Sequence, residues 1–344
     1  MHSTIRIGLI GFGNMGRIHA ENLTRRVRGA ELVAVADPRT DVADVVRVAD
    51  TTIPFYHDYR FLLEMNDIDA FIVAAATTHH AEILRAVVEC GRPVLCEKPI
   101  ALTSADSMAI YKLYEERGVP LQMGFMRRYD PQYIKAKRLI DEGKIGRPYH
   151  FYGLSRDRVG PPYEVARYSG GFFLDTGVHD FDLVHWLLNT EIDCIFARGD
   201  IFRHEEYRDI PDVDQVHASF HCVSKAFGLV ELSRDAIYGY EIRTEILGTN
   251  GAVQVAPLHS TGTVLLVDGE VIRDTYVDYR ERFDQAYLNE LQDFVNRIRS
   301  EQPLAITAMD GIRATLVGEA AARSLVSGRN ESVEVGVFHM ESGN

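Results

Sequence analysis

Two side chains capable of acid–base chemistry lie four residues apart in an otherwise apolar segment. The segment "SGGFFLDTGVHDFDLVHWLLN" (169–189) carries Asp175 and His179, which would share one face of a helix. A buried carboxylate or imidazole must be paired, or its burial costs several kcal/mol. The two groups therefore face either water or a substrate, for which an imidazole that titrates near neutral pH is a suitable proton acceptor.

A structural role is the alternative for these polar residues. Asp175 follows the strand-like run "GGFFL" and precedes a helical pattern, so its carboxylate could cap the N–H groups of a helix start. Asp180, Asp182 and His185 are assigned to solvent, to hydrogen bonding or to a subunit contact. The residues alone leave the choice for Asp175 open.

A glycine-rich turn follows the first apolar strand. The run "IGLIGFGNMGRIHAENL" places Gly11, Gly13 and Gly16 as G-x-G-x-x-G directly before a helical pattern. The first glycine permits a tight turn, the second lets the backbone approach a pyrophosphate, and the third lets helix and strand pack, while the helix N-terminus offers N–H groups to the anion. The residues predicted to bind a dinucleotide here are Gly11, Phe12, Gly13, Asn14, Met15 and Gly16.

An aspartate ends the second apolar strand, "VAVAD". Asp37 stands about 20 residues beyond the glycine turn, where a carboxylate binds the ribose hydroxyls of NAD. Arg39 is a complication, because a nearby arginine is how such sites accept the 2'-phosphate of NADP. Pro38 has a fixed φ and is expected to turn the chain away from the strand end. The predicted cofactor is therefore NAD.

Polar residues also follow the fourth and fifth apolar strands, in "AAATTHHAE" and "LCEKPIA". Ligands of open parallel sheets bind outside the carboxyl ends of the strands. Thr77 and His80 are therefore expected on the nicotinamide side of the site, although a polar helix start explains His80 equally well. Glu97 and Lys98 are expected at the same rim, with a solvated loop as the alternative.

The pattern of apolar residues changes near residue 124. Up to that point short apolar runs alternate with helical patterns, which predicts a parallel sheet covered on both faces. Beyond it, alternating runs predict an antiparallel sheet with one face covered, and helices at 130–142, 177–189, 284–300 and 307–327. The predicted fold class is α/β, with an N-terminal Rossmann domain (1–124) and a C-terminal α+β domain (125–344). This second domain, with a large open, mainly antiparallel sheet, would serve substrate binding and oligomerisation.

The composition is that of a globular protein and argues against several classes of partner. A formal charge of -13 disfavours a nucleic-acid or anionic-membrane surface. Apolar runs stay well short of the about 18 residues that span a membrane, and the chain enters "IRIGLI" too early for a signal peptide. Four cysteines without metal-ligand spacing indicate thiols in a reducing compartment. We therefore predict a cytoplasmic protein without a metal site.

Motifs spread over nearly the whole chain resemble the Gfo/Idh/MocA oxidoreductases, the glucose–fructose oxidoreductase and inositol dehydrogenase group. They are, in family order, "GLIGFGNMGRIHAENL", "LCEKPIALT", "MGFMRRYDP", "SGGFFLDTGVHDFDLVHWL", "YGYEIRTEILGTNG" and "RFDQAYLNELQDFV". Within the group, "GFMRRYDP" and "LSRD" followed by a glycine pair and D-x-x-x-H resemble the inositol 2-dehydrogenases. The segments "SRDRVGPP" and "DTGVHDFDLVHW" depart from the usual pattern, which leaves the identity of the polyol open.

The resemblance implies that Lys98, Asp175 and His179 are the catalytic residues and meet over the nicotinamide. His179 would accept the hydroxyl proton as hydride leaves for NAD+. Lys98 would stabilise the developing alkoxide, and Asp175 would orient His179. The residues nominated to bind the polyol are Arg127, Asp157 and Tyr240. Tyr238 competes with Tyr240 for this role.

The activity implied is NAD-dependent oxidation of a cyclic polyol. The first candidate reaction is myo-inositol to 2-keto-myo-inositol. The enzyme is expected to be a homo-oligomer, either a tetramer or a dimer. Within the enzyme class, another inositol isomer, an amino-inositol or a sugar is the alternative substrate. NAD-dependent glycoside cleavage begins with the same hydride abstraction and stays open. A non-catalytic dinucleotide-sensing protein would lose the set of Lys98, Asp175 and His179, all of which are present.

Overall fold

The computed structural model describes residues 4–39, 52–256 and 259–334 of the chain. Contacts along the chain divide it into two compact units rather than into two consecutive halves. The first unit comprises Met1–Tyr129 and Gln285–Ile312, and the second comprises Asp130–Asp284 and Arg313–Asn344.

This division differs from the predicted domains 1–124 and 125–344, because the segment 285–312 belongs to the first unit. The physical reason is apolar burial. Leu291, Phe294 and Val295 lie in the same buried cluster as Ile7 and Leu9 of the first strand. Helical periodicity predicts that such a segment buries one face, but it does not tell which sheet receives that face.

The first unit contains a parallel sheet with helices. Its strands are β1 (Ile5–Ile10), β2 (Ala30–Ala36), β3 (Phe55–Tyr56), β4 (Ala70–Val73), β5 (Val94–Glu97) and β6 (Leu121–Gly124). Its first helices are α1 (Asn14–Arg25), α2 (Arg60–Leu63), α3 (Thr77–Val87) and α4 (Ser104–Arg117), with 3-10 turns at Val88–Cys90 and Met126–Tyr129. Within the described residues the strand order is β3-β2-β1-β4-β5-β6, and every pairing is parallel. The predicted Rossmann fold is confirmed.

This strand order positions a ligand site. The chain leaves β1 towards β2 on one side and returns through β4 on the other, so the order reverses between β1 and β4. In open α/β sheets, ligands bind in the crevice at the carboxyl ends of the strands on either side of such a reversal. The glycine turn after β1, Asp37 after β2 and Lys98 after β5 all follow strand carboxyl ends.

The second unit contains a larger sheet that is mainly antiparallel. Its strands are β7 (Pro148–Arg156), β8 (Ile192–Asp200), β9 (Gln215–Cys222), β10 (Phe227–Ser233), β11 (Glu241–Gly248), β12 (Gly251–Val255) and β15 (Glu331–Ser332). Over the described ranges the order is β12-β11-β7-β10-β9-β8-β15, and the pair β7 and β10 is parallel. A separate hairpin is formed by β13 (His259–Val267) and β14 (Glu270–Thr275). The predicted open, mainly antiparallel sheet is confirmed.

The remaining helices are α5 (Pro131–Asp141), α6 (Tyr163–Ala166), α7 (Val178–Leu188), α8 (Tyr279–Arg299) and α9 (Ala308–Ser327), with a 3-10 turn at Glu205–Asp209 and a π-helical turn at Phe173–Gly177. Local sequence explains how α5 begins. Asp130 accepts hydrogen bonds from the N–H groups of Gln132 and Tyr133, and Pro131 occupies the first turn, where a missing N–H costs nothing. Helix α8 has non-helical angles at Phe283, beside the division between the units.

Helices cover one face of the second sheet. A Cβ at Gly153 of β7 would lie 2.9 Å from Asp180 of α7, and the Ala197 N–H of β8 donates to Ser324 of α9 over 2.9 Å. Residues alternate along β9 between buried and exposed, so that His217 and His221 are exposed. The helices therefore cover one face, as the alternating sequence pattern predicts.

Candidate active site

The glycine turn after β1 has the backbone geometry of a dinucleotide site. Gly11 has φ +95°, a left-handed conformation, and a Cβ there would lie 2.4 Å from the backbone N of Ala75. A Cβ at Gly16 would lie 2.1 Å from the Gly11 carbonyl oxygen. Side chains are therefore excluded at both positions, in the first case by conformation and contact and in the second by contact alone.

Gly13 provides the space for a ligand. A Cβ built there meets nothing within 4 Å, so the glycine leaves an open approach to the start of α1. Gly13 precedes α1 without a side-chain cap, which leaves the first turn of the helix for an anion. The side chains of Phe12 and Met15 pack against the apolar core, so the turn presents its backbone. These residues fit the pyrophosphate of a dinucleotide.

Asp37 and Arg39 form an ion pair at the end of β2. Arg39 Nε and Nη2 donate to the two oxygens of Asp37 over 2.9 and 3.0 Å, and the Phe12 N–H donates to Asp37 over 2.7 Å. Burial would raise the pKa of Asp37, but the hydrogen bonds from Arg39 and Phe12 outweigh it and hold this pKa below its ordinary value. The expected turn of the chain at Pro38 does not keep Arg39 from Asp37, because both the N–H and the side chain of Arg39 donate to the carboxylate.

His80 is a buried residue of α3 with two backbone carbonyls beside its ring. Nδ1 lies 2.8 Å from Pro99 O, and Nε2 lies 3.0 Å from Ala75 O. Burial lowers the pKa of His80, which the two carbonyls offset in part. A neutral imidazole has one N–H and donates to one of these carbonyls at a time. The ring therefore links the start of α3 to the loop after β5, while Thr77 begins α3 and is half-buried.

The loop after β5 holds Glu97 and Lys98. Glu97 is buried, and its Oε1 lies 2.7 Å from Nε2 of His19 on α1. Lys98 follows it, is half-buried and precedes the cis-bonded Pro99. The carboxylate of Glu97 is thus directed to a histidine within the unit. Neither His19 nor this pairing is predicted by the sequence motifs.

Asp175 lies inside the π-helical turn Phe173–Gly177, and its N–H donates to Gly171 O over 2.9 Å. The alternative that Asp175 caps a helix is wrong, because α7 begins after Gly177 without a side-chain cap. The carboxylate instead lies 3.5 Å from Nη1 of Arg234. π-Helical turns are rare and are frequent at functional sites.

His179 follows in the first turn of α7 and is 7 % exposed. Asp180 and Asp182 of the same helix are also buried, and the Ser155 hydroxyl donates to Asp180 over 2.6 Å. His185 Nδ1 lies 3.3 Å from Glu191. Of the roles expected for Asp180, the structure therefore shows hydrogen bonding rather than exposure to solvent.

The residues nominated for polyol binding belong to different units. Arg127 lies in the first unit and is 2 % exposed. Asp157 follows β7 and is half-buried. Its N–H donates to Ser233 O over 2.9 Å, and its carbonyl oxygen accepts from the Ala236 N–H over 2.7 Å. Tyr240 is buried with its ring at a right angle to Phe283.

Two absences concern the described residues alone. No group of three or more His, Cys, Asp or Glu residues there could hold a metal ion. Likewise, none of the helices described above is long and apolar enough to cross a membrane.

Comparison with protein families decides the assignment of this fold. Residues 5–125 match the profile of an oxidoreductase family with an NAD-binding Rossmann fold, and residues 133–254 match the GFO/IDH/MocA C-terminal domain. The chain belongs to the Gfo/Idh/MocA oxidoreductase family. The predicted membership and the predicted NAD-binding fold are confirmed.

Individual Gfo/Idh/MocA relatives match over nearly their whole length. The chain is 36% identical to the scyllo-inositol 2-dehydrogenase (NAD(+)) of Bacillus subtilis, covering 97% of this chain and 98% of that one. It is 35% identical to the myo-inositol 2-dehydrogenase of Thermotoga maritima, covering 96% and 99%. The structure of scyllo-inositol dehydrogenase from Lactobacillus casei with bound NAD(H) and scyllo-inositol has a TM-score of 0.90 at 29% identity, covering 96% and 99%.

Three buried polar residues near the predicted ones are missed by the sequence motifs. They are His19, Arg234 and Glu290. The two carboxylates beside Arg234 stand 22 and 59 residues away in sequence, so no local spacing reveals them. The available signal is the residue type alone, since a charged residue at the end of a buried strand or on the apolar face of a helix requires a partner.

Proposed function

We propose that this protein is an NAD-dependent dehydrogenase that oxidises a secondary hydroxyl of an inositol to the ketone. The observation that carries the proposal is the similarity over nearly the whole chain to relatives named as inositol 2-dehydrogenases. The glycine turn supports it independently, because Gly11 and Gly16 permit the tight backbone turn and Gly13 leaves the start of α1 open to a dinucleotide.

NAD+ supplies the hydride acceptor when it is bound. The chain supplies the acid–base chemistry: His179 accepts the hydroxyl proton, and Lys98 hydrogen-bonds the oxygen and stabilises its developing charge. Asp175 orients His179 and stabilises the imidazolium. Arg127, Asp157 and Tyr240 are proposed to hold the remaining hydroxyls of the ring. These roles rest on the family motifs that the residues match.

Two stereoisomers are the leading substrates. Relatives of nearly equal similarity are named for scyllo-inositol and for myo-inositol. The two isomers differ in configuration at one carbon, and oxidation of that carbon gives the same ketone from both. We propose myo-inositol as the preferred substrate and 2-keto-myo-inositol as its product, with scyllo-inositol as the rival.

The same proposal includes a homo-oligomer, a tetramer or dimer formed through the second unit. Phe227 at the start of β10 is 51% exposed, and neighbouring β9 presents its own exposed side chains. An uncovered sheet face with apolar members favours a partner surface. All four cysteines are free thiols, which supports a cytoplasmic enzyme.

The test is NADH formation, followed by its absorbance, across a panel of inositols, an amino-inositol, aldoses and glycosides. We expect NAD+ reduction with myo-inositol or scyllo-inositol and a much lower kcat/KM with aldoses. If NAD+ is reduced with aldoses and with no inositol, the substrate class is the aldoses rather than the inositols. If instead a glycoside releases its aglycone only when NAD+ is present, the reaction is glycoside cleavage rather than oxidation of a free hydroxyl.

A further inference from the structure

A fully buried arginine lies behind the turn that carries Asp175. The side chain of Arg234 is 0% exposed. Its guanidinium carbon lies 4.2 Å from the ring centroid of Phe172 and 5.6 Å from that of Tyr207. A buried guanidinium is costly unless it is paired and hydrogen-bonded. The partners of Arg234 therefore indicate its role.

Two carboxylates share this guanidinium. Nη2 donates to Asp212 Oδ2 over 2.9 Å, and the Asp212 side chain is 3% exposed. Nη1 lies 3.5 Å from Asp175 Oδ2, and the Asp175 side chain is 34% exposed. One amino group thus faces the interior and the other faces an accessible carboxylate.

The interior partner is itself fixed to the backbone of the π-helical turn. Asp212 Oδ1 accepts hydrogen bonds from the N–H groups of Phe172 and Val213, each over 2.9 Å. Phe172 directly precedes the turn Phe173–Gly177 that carries Asp175. Arg234 therefore contacts the π-helical turn by two routes. It pairs directly with the carboxylate of Asp175, and through Asp212 it is linked to the N–H of Phe172, just before the turn.

The charges favour a permanent cation at this place. Burial disfavours the charged form, but Asp212, Asp175, Tyr207 and Asp157 outweigh it and raise the pKa of Arg234 above its usual value. Burial raises the pKa of Asp212, against the opposing effect of Arg234. The guanidinium therefore stays charged near neutral pH.

We propose that Arg234 is a positioning residue for the oxidation: it fixes the carboxylate of Asp175 in the orientation in which Asp175 aligns His179. This inference rests on the proposed function. Arg234 is fully buried and so acts through Asp175 rather than on the substrate. Its loss removes this ion pair and takes a positive charge from beside Asp175.

The test measures kcat, KM and the pH profile of kcat/KM for wild type, Arg234→Ala and Arg234→Lys with inositol and NAD+. We expect kcat to fall at least about tenfold in the Ala variant, with KM for NAD+ unchanged. The acid limb of the profile should move to higher pH, because a nearby cation is gone. Added guanidinium ion should restore part of kcat. If the Ala variant fails to fold, Arg234→Lys keeps the charge but loses the planar two-nitrogen geometry, so kcat should fall while the acid limb stays in place, and wild-type kcat in this variant would overturn the inference.

Arg282→Ala is the matched control. Arg282 is also buried, pairs with the buried Asp130 over 2.6 Å and lies 4.4 Å from the Phe283 ring, but it is not paired with Asp175. We expect it to lower the melting temperature while the pH profile stays in place and guanidinium has no effect. A shift of the profile in this control equal to that of Arg234→Ala would overturn the inference.

A double-mutant cycle isolates the route of action. In an Asp175→Ala background, Arg234→Ala should change kcat by less than about twofold, because the residue through which it acts is already missing. A further tenfold loss would overturn the inference, as would wild-type kcat and an unmoved profile in a folded Arg234→Ala. These outcomes leave the proposed function standing, whereas a wild-type protein that oxidises no inositol refutes the function itself.

Discussion

The guanidinium of Arg39 binds both carboxylate oxygens of Asp37. Nε and Nη2 of Arg39 each donate to one oxygen, the Arg39 N–H donates to Oδ1 and the Phe12 N–H donates to Oδ2. Each oxygen thus already accepts two hydrogen bonds, and a carboxylate offers about four such positions. The ribose hydroxyls of a dinucleotide must therefore compete with Arg39 for Asp37.

This competition leads to a prediction for cofactor choice. NAD+ should be preferred over NADP+ by at least about tenfold in kcat/KM, because Asp37 repels the extra phosphate. Arg39→Ala should widen the preference, since it releases Asp37 for the ribose and removes the cation that a 2'-phosphate would use. Asp37→Ala should narrow it, chiefly by weakening NAD+. Steady-state kinetics with both cofactors decide, and equal efficiency in wild type would contradict this preference.

Lys98→Ala should lower kcat at least about 100-fold, as expected for loss of a polarising group in a site from which water is excluded. NADH binding, measured by fluorescence titration, should barely change. The exposed Lys112→Ala serves as a control that removes a lysine elsewhere in the first unit. A kcat within tenfold of wild type would refute the role proposed for Lys98.

His179→Ala should remove most of the rate and also the pH dependence of kcat near neutrality, because the group that titrates there is gone. A structural histidine would lower the melting temperature and leave the profile in place. The paired variant is Asp175→Asn. Since Asp175 caps no helix, a loss of activity in this variant cannot be ascribed to a lost cap, and full activity would contradict a role in orienting His179.

Glu290 should make stability depend on pH. It is fully buried, and neither carboxyl oxygen has a hydrogen-bond partner among the described residues. Burial, and then the charge of Glu97, raises the pKa of Glu290 well above its ordinary value of 4.5. The folded protein therefore retains a proton that the unfolded chain releases. The stability that this proton contributes is complete below the pKa of the unfolded chain and is lost as the pH rises towards the pKa of the folded protein.

Glu290→Gln keeps the shape and removes the titration. Relative to wild type, its melting temperature should rise as the pH increases from about 5 to about 8. Thermal melts of both proteins across this range give the comparison, with Glu116→Gln at an exposed position as the control. A constant difference over the whole range would mean that Glu290 ionises alike in the folded and unfolded states.

The fold follows from the sequence where burial is two-sided or strictly alternating. Strands β1, β4 and β5 lie between other strands and are buried along almost their whole length, so each is a short apolar run. Strand β9 alternates and is recognised by its period. The place of 285–312 does not follow, because a periodic helix does not specify which of two apolar surfaces it covers.

The candidate site is predictable only in part for a similar reason. Glycine spacing predicts the turn at Gly11 because the conformation itself requires glycine. The contacts of Arg39 and Arg234 depend on side-chain rotamers and on partners distant in sequence. The π-helical turn around Asp175 adds a residue to a helical repeat, which no pattern of apolar spacing distinguishes from the start of an ordinary helix.

The central claim is that hydride passes from one inositol carbon to NAD+. The most direct test uses myo-inositol and scyllo-inositol that carry deuterium at the carbon where the two isomers differ, with mass spectrometry of the nicotinamide product and of the ketone. We expect one deuterium to appear in the reduced cofactor and both isomers to give the same ketone. Reduced cofactor without deuterium, or no reduction with either isomer, would contradict this transfer.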